Sequence, residues 1–121
     1  MVKYNFDVPI YDFKIEVAEL SFDDSKDKIV EVLEENKLEK EDIEEIVKKI
    51  DRESYNGADT FANFSEKRFL IIVYPCKTSE NRREIINHEK RHVEDRILEH
   101  CGINDIEAAG YLAGFLSKYL Y

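Results

Sequence analysis

A chain of 121 residues suits one domain and leaves little room for a second. Its 43% hydrophobic and 12% aromatic residues can build one core, which argues against a disordered chain despite 37% charged residues. A net charge of −9 and a pI near 4.9 argue against nonspecific attraction to a nucleic-acid backbone; an acidic surface suits a cation or a basic peptide.

No run of residues approaches the length of a membrane span, and MVKYNFDVPIYDF lacks the basic-then-apolar order of a signal peptide. The expectation is a cytoplasmic protein with no membrane or nucleic-acid partner. Cys76 and Cys101 are too few for a disulfide scaffold or a cysteine-rich zinc site, and read as two partly buried free thiols.

Tyr11, Phe13, Ile15 and Val17 alternate with Asp12, Lys14, Glu16 and Ala18, the period of a strand with one buried face, and Pro9 suits its entrance. After Asp23-Asp24 the period changes. Ile29, Val30, Val32 and Leu33 predict a short amphipathic helix ending near Asn36-Lys37. Ile43, Ile46, Val47 and Ile50 predict a second helix. The span from Asp23 to Glu53 therefore reads as a solvated, charge-rich helical hairpin.

Asn56-Gly57 marks a turn. Thr60–Phe64 and Arg68–Tyr74 predict two strands joined by a tight Ser65-Glu66-Lys67 connection, the second apolar enough to be covered on both faces. Thr78 or Ser79 can cap a helix from about Glu80 to His100, which Gly102 stops. Asn104 can cap a last helix reaching almost to Tyr121. The order predicts a single α+β domain over residues 1–121: a small, mainly antiparallel sheet of about three strands, a helical hairpin and two C-terminal helices.

The chemistry concentrates in Asn87-His88-Glu89-Lys90-Arg91-His92. His88 and His92 stand one helical turn apart on one face, so their imidazoles can converge on zinc, which takes nitrogen ligands at about 2.0–2.1 Å. Glu89, about 100° around the helix from His88, can reach water at the metal as a general base. A catalytic zinc keeps three protein ligands and an open position. Glu107 is the candidate third ligand, placed after the Gly102 break; Gly110 and Gly114 would let its helix pack closely on the neighbour. Glu107 equally suits a capping box with Asn104. His100 suits the negative end of the helix dipole. Lys90 and Arg91 bring positive charge beside a cation site, and the whole helix can also be read as a solvated face of mixed charge.

The chain resembles the zincin superfamily of metallopeptidases, in particular small proteins of phages and mobile elements. The resemblance is carried by NHEKRHVEDRILEHCGINDIEAAGYLAGFL from Asn87 to Leu116, by a short N-terminal strand around Pro9-Ile10-Tyr11, and by Gly57-Ala58-Asp59-Thr60-Phe61. It implies a zincin-like fold, zinc held by His88, His92 and Glu107, and Glu89 as base. It also implies that the strand near Phe69–Tyr74 runs past the metal and pairs with an extended peptide, and that Tyr111 offers its hydroxyl to a developing oxyanion.

The function expected is hydrolysis of a peptide bond in a peptide or protein substrate by metal-activated water. The alternative is a non-catalytic interaction domain that binds a dedicated protein partner through the acidic hairpin. A third reading is a DNA-mimic or antitoxin-like acidic protein with a basic partner.

Overall fold

A computed structural model of the chain describes residues 1–52 and 57–121. The chain is α+β, with strands β1 (Val2–Val8), β2 (Phe13–Glu19), β3 (Ala58–Asn63) and β4 (Arg68–Val73). The helices are α1 (Lys26–Glu35), α2 (Lys40–Asp51), α3 (Ser79–His100) and α4 (Ile106–Leu116). The sheet has four strands in the order β1-β2-β4-β3, and it is mixed: β1–β2 and β3–β4 are antiparallel, β2–β4 parallel. The expected three-stranded, mainly antiparallel sheet is therefore corrected to four strands with a parallel centre.

The added strand is β1. Val2, Tyr4, Phe6 and Val8 alternate with Lys3, Asn5 and Asp7, a period of two at the very start of the chain. Phe6 pairs with Ile15 and Val8 with Phe13, and both β1 residues are buried. Pro9 to Asp12 form the turn between β1 and β2, where Asp12 takes φ 57° and its N–H donates to the Val8 carbonyl at 2.9 Å. Pro9 thus follows a strand instead of opening one.

Alternate residues of β4 feed two separate cores. Phe69, Ile71 and Val73 pack with Phe13, Ile15 and Val17 against α3 and α4. Leu70, Ile72 and the following Tyr74 pack with Leu20, Ile29, Leu33 and Ile46 under α1 and α2. Helices thus cover both faces of the sheet, as the unbroken apolar run of β4 requires. That cover extends to β2: Ala18, expected on a polar face, is 1% exposed.

Ser25 caps α1, its side chain accepting from the Lys28 N–H at 3.3 Å. The helix ends at Asn36, and Lys37 takes φ 55°. The end of the expected hairpin at Glu53 and the Asn56 half of the expected turn lie outside the described residues; Gly57 has φ 83°. Among the described residues, no helix is long and apolar enough to cross a membrane. Cys76 is half-buried and Cys101 exposed, so only Cys76 is partly buried as expected.

Ile71 lies at the centre of β4 with no exposed surface. Replacing it with Ala should cost about 2–5 kcal/mol through lost transfer energy and the cavity left behind. Urea unfolding at equilibrium checks this, with Val2→Ala at the 60%-exposed edge of β1 as a near-neutral comparison.

Candidate metal site

Thr78 starts α3: its hydroxyl oxygen accepts the Asn81 N–H at 3.1 Å. At the other end, Gly102 takes φ 67°, its N–H donates to Glu99 O at 3.1 Å, and Ile103 N–H donates to Leu98 O at 2.9 Å. This pair of bonds is a Schellman closure, which needs a left-handed residue and so favours glycine there. Between the two ends the helix lays Ile86, Glu89, Val93 and Ile97 on the sheet.

That rotation divides the motif. Glu89 faces inward and is 6% exposed, while His88 and His92 are exposed on the adjoining flank. The two imidazoles lie edge to face, with centroids 4.5 Å apart and Nε2 atoms 2.9 Å apart. One ring therefore donates an N–H and the other accepts it. Nitrogens bound to one tetrahedral zinc stand about 3.3 Å apart, so the rings need to open by only a few tenths of an ångström. The Glu89 carboxylate completes a group whose donor atoms all lie within 4.8 Å of one another. Among the described residues it is the one group of three His, Cys, Asp or Glu side chains with that convergence. Two imidazoles and a carboxylate form a donor set suited to zinc and its first-row neighbours.

Glu89 is buried and therefore needs a partner. Thr60 on β3 supplies it, donating its hydroxyl to Glu89 Oε2 at 2.5 Å. The Thr60 carbonyl accepts from Arg96 Nη1 at 3.4 Å, a second tie between β3 and α3. The preceding residue, Asp59, is held instead by α2 and by the residue that follows β4: it accepts from Lys49 Nζ at 2.9 Å and from Tyr74 Oη at 2.6 Å. Thr60 was not legible as a site residue, because only the strand–helix packing brings it to Glu89.

Lys90 points to the flank opposite the histidines, where its Nζ donates to Ser117 Oγ at 3.0 Å beside α4. Arg91 is exposed. Asn87, His88, Lys90, Arg91 and Glu94 border an open depression of about 410 Å³ on the outer surface of the helix. Burial pushes the Glu94 carboxyl above its usual range, and neighbouring Asp95 pushes it the same way, against Arg91 and Lys90.

Glu107 is not in the group. It sits exposed in the first turn of α4, and Ser117, the residue beside Lys90, lies at the opposite end of that helix. Ten helical residues span about 15 Å, so Glu107 lies toward the far end of α3. Nor does it close a capping box with Asn104. The cap is Asp105, which accepts the Glu107 N–H at 2.9 Å. The helix stops at Leu116, short of the expected end near Tyr121, as Ser117 Oγ donates back to Ala113 O and the chain turns to bury Leu120.

No family model matches the chain, and neither a curated protein nor a solved structure matches it.

The remaining expected residues are placed as follows. Gly110 and Gly114 are exposed, with nothing within 4 Å of where a Cβ would stand, so they do not serve close packing on α3. Tyr111 is 80% exposed. His100, in the last turn of α3, stacks on Phe64 with centroids 4.7 Å apart and meets Phe13 edge-on at 5.7 Å. β4 pairs with β2 on one side and β3 on the other, which leaves it no free edge for a peptide; the edge strand tied to Glu89 is β3.

Thr60→Val keeps the shape of the side chain and removes its hydroxyl, leaving a buried carboxylate without that donor. The expected loss is about 1–3 kcal/mol, most of it regained by Thr60→Ser. Urea denaturation of the three proteins measures it, and a loss below about 0.5 kcal/mol for the valine variant would show that the contact contributes no more than a surface one.

Proposed function

We propose that the chain is a zincin-like, zinc-dependent peptidase of the cytoplasm whose metal is held by His88 and His92, with Glu89 as the general base. The observation that carries this reading is the convergence of the two Nε2 atoms, 2.9 Å apart, beside a carboxylate within 4.8 Å. A zinc ion at that position would supply a Lewis acid and bring the pKa of water near 7.

The chain's own residues divide the remaining work. Glu89 accepts a proton from the attacking water and returns it to the leaving amine. The Thr60 hydroxyl fixes one carboxylate oxygen and so limits the orientations available to the other. β3 is an edge strand joined to Glu89 through Thr60, so an extended peptide added to its outer edge would lie on the histidine side of α3. Lys90 is turned to α4 and keeps its charge on the other flank. Glu107 has no part in this arrangement.

The position of Glu107 favours a second reading, a non-catalytic interaction domain. Two imidazoles then bind a metal without turnover, and the acidic face of α1 and α2 meets a basic partner. Residues 23–52, which hold those helices, carry twelve acids against seven bases, −5 of the net −9.

Metal content per chain, measured on untagged protein for wild type and His88→Ala, tests the site. About one zinc per wild-type chain, lost in the variant, is expected. Wild-type protein that takes up no metal after incubation with zinc would rule the site out. Glu89→Gln should retain the metal and lose hydrolysis of a peptide library. Undiminished cleavage by that variant would remove Glu89 as base, and no cleavage by metal-loaded wild type would leave the non-catalytic reading.

A further inference from the structure

We propose that the outer face of α4 joins two copies of this chain about a two-fold axis, with the two α4 helices antiparallel. The face is built for contact that the single chain does not provide. Leu112 and Leu116 bury the inner side of α4, while Ile106 is 90% exposed and Tyr111 80% exposed on the outer side. Gly110 and Gly114 lie one turn apart on that same outer side. Glycine weakens a helix interior, and here no neighbouring group within the chain takes up the space it leaves. Beside them an apolar groove of about 480 Å³ runs between α4 and the β1–β2 turn, where Ile10 stands 85% exposed.

Charge indicates what covers this face. Within Ile106–Leu116 the sole charged residue is Glu107, in a chain of 27 acids and 18 bases. The acidic α1–α2 layer lies on the opposite face of the sheet from α4. Two chains of charge −9 can therefore approach through α4 with their most acidic layers held apart. At the ends of α4 the signs are opposite: exposed Glu107 at the start, exposed Lys118 just past the end.

An antiparallel pairing centred between positions 112 and 113 uses both features. It sets Glu107 opposite the partner's Lys118, and symmetry repeats the pair at the other end. It also sets Tyr111 opposite the partner's Gly114, so that each ring enters the recess left by a glycine and closes the apolar groove beside Ile10. The helix dipoles oppose each other favourably in this arrangement. The patch thus carries its own knob, hole and complementary charges, which is what an isologous contact requires. The position of Glu107 away from the histidines is accounted for by the same contact.

Analytical ultracentrifugation over about a hundredfold range of concentration tests this on the full chain. A species of twice the 14.3 kDa chain mass is expected. Glu107→Lys and Lys118→Glu should each weaken association by about tenfold, through loss of two attractions and gain of two repulsions. The double charge reversal should restore it. Gly114→Leu, which fills the recess, should give a monomer, with circular dichroism confirming that each variant is folded. A wild-type monomer throughout the range would overturn the proposal and leave the groove to a different partner. A dimer indifferent to Gly114→Leu, or single reversals that the double reversal does not rescue, would overturn it as well. None of these variants touches His88, Glu89 or His92, so the outcome is independent of metal binding.

Discussion

The architecture depends on burying both faces of β4. Phe69, Ile71 and Val73 need cover on one side, Leu70 and Ile72 on the other, and the strand must also pair along both edges because its backbone has no access to water. From this follow the parallel alignment with β2, the antiparallel β3 hairpin, and a helical layer on each face. The α1–α2 hairpin is accordingly a roof with an apolar underside: Ile29, Leu33 and Ile46 are sealed against β4 while the upper surface stays charged. Its acidity and its structural necessity belong to opposite faces of the same helices.

The same constraint orients α3. To cover β2 and β4 it must present Ile86, Val93 and Ile97 to the sheet, and that rotation carries Glu89 inward with them. A carboxylate in such a position needs a hydrogen-bond donor, and the neighbouring edge strand offers the Thr60 hydroxyl. His88 and His92 lie one flank away, exposed yet in contact through their ring nitrogens. The motif is thus split between core and solvent: its acid is positioned by packing, and its imidazoles by helical spacing alone. The exposed pair of imidazoles, with a fixed carboxylate beside it, faces solvent, whereas α4 and the Lys90–Ser117 hydrogen bond lie on the opposite flank.

α4 follows from the break at Gly102. The Schellman closure turns the chain back so that Leu112 and Leu116 complete the core above β1 and β2. Because only those residues and their neighbours are consumed by that contact, an unusually apolar helix is left with an apolar outer side. Hydrophobic composition alone does not separate these two sides; the direction from which the sheet approaches does.

Much was legible because periodicity reports burial directly. The period-two residues of β2, the unbroken run of β4, the stripes of α1 and α2, and the caps at Thr78 and Gly102 each state a local requirement that the fold satisfies. β1 was legible in the same way, through the alternation of Val2, Tyr4, Phe6 and Val8. The spacing of His88 and His92 likewise determined that their side chains share one helical face. What the sequence could not decide was which side of α3 receives α4. Glu107 is close to the motif along the chain, but the short connection and antiparallel packing carry it toward the other end of α3. Thr60, remote in sequence, arrives beside Glu89 through the position of an edge strand. Local spacing is set by covalent geometry and is readable in one dimension; the company a side chain keeps across elements depends on how layers pack, and only the tertiary structure determines that.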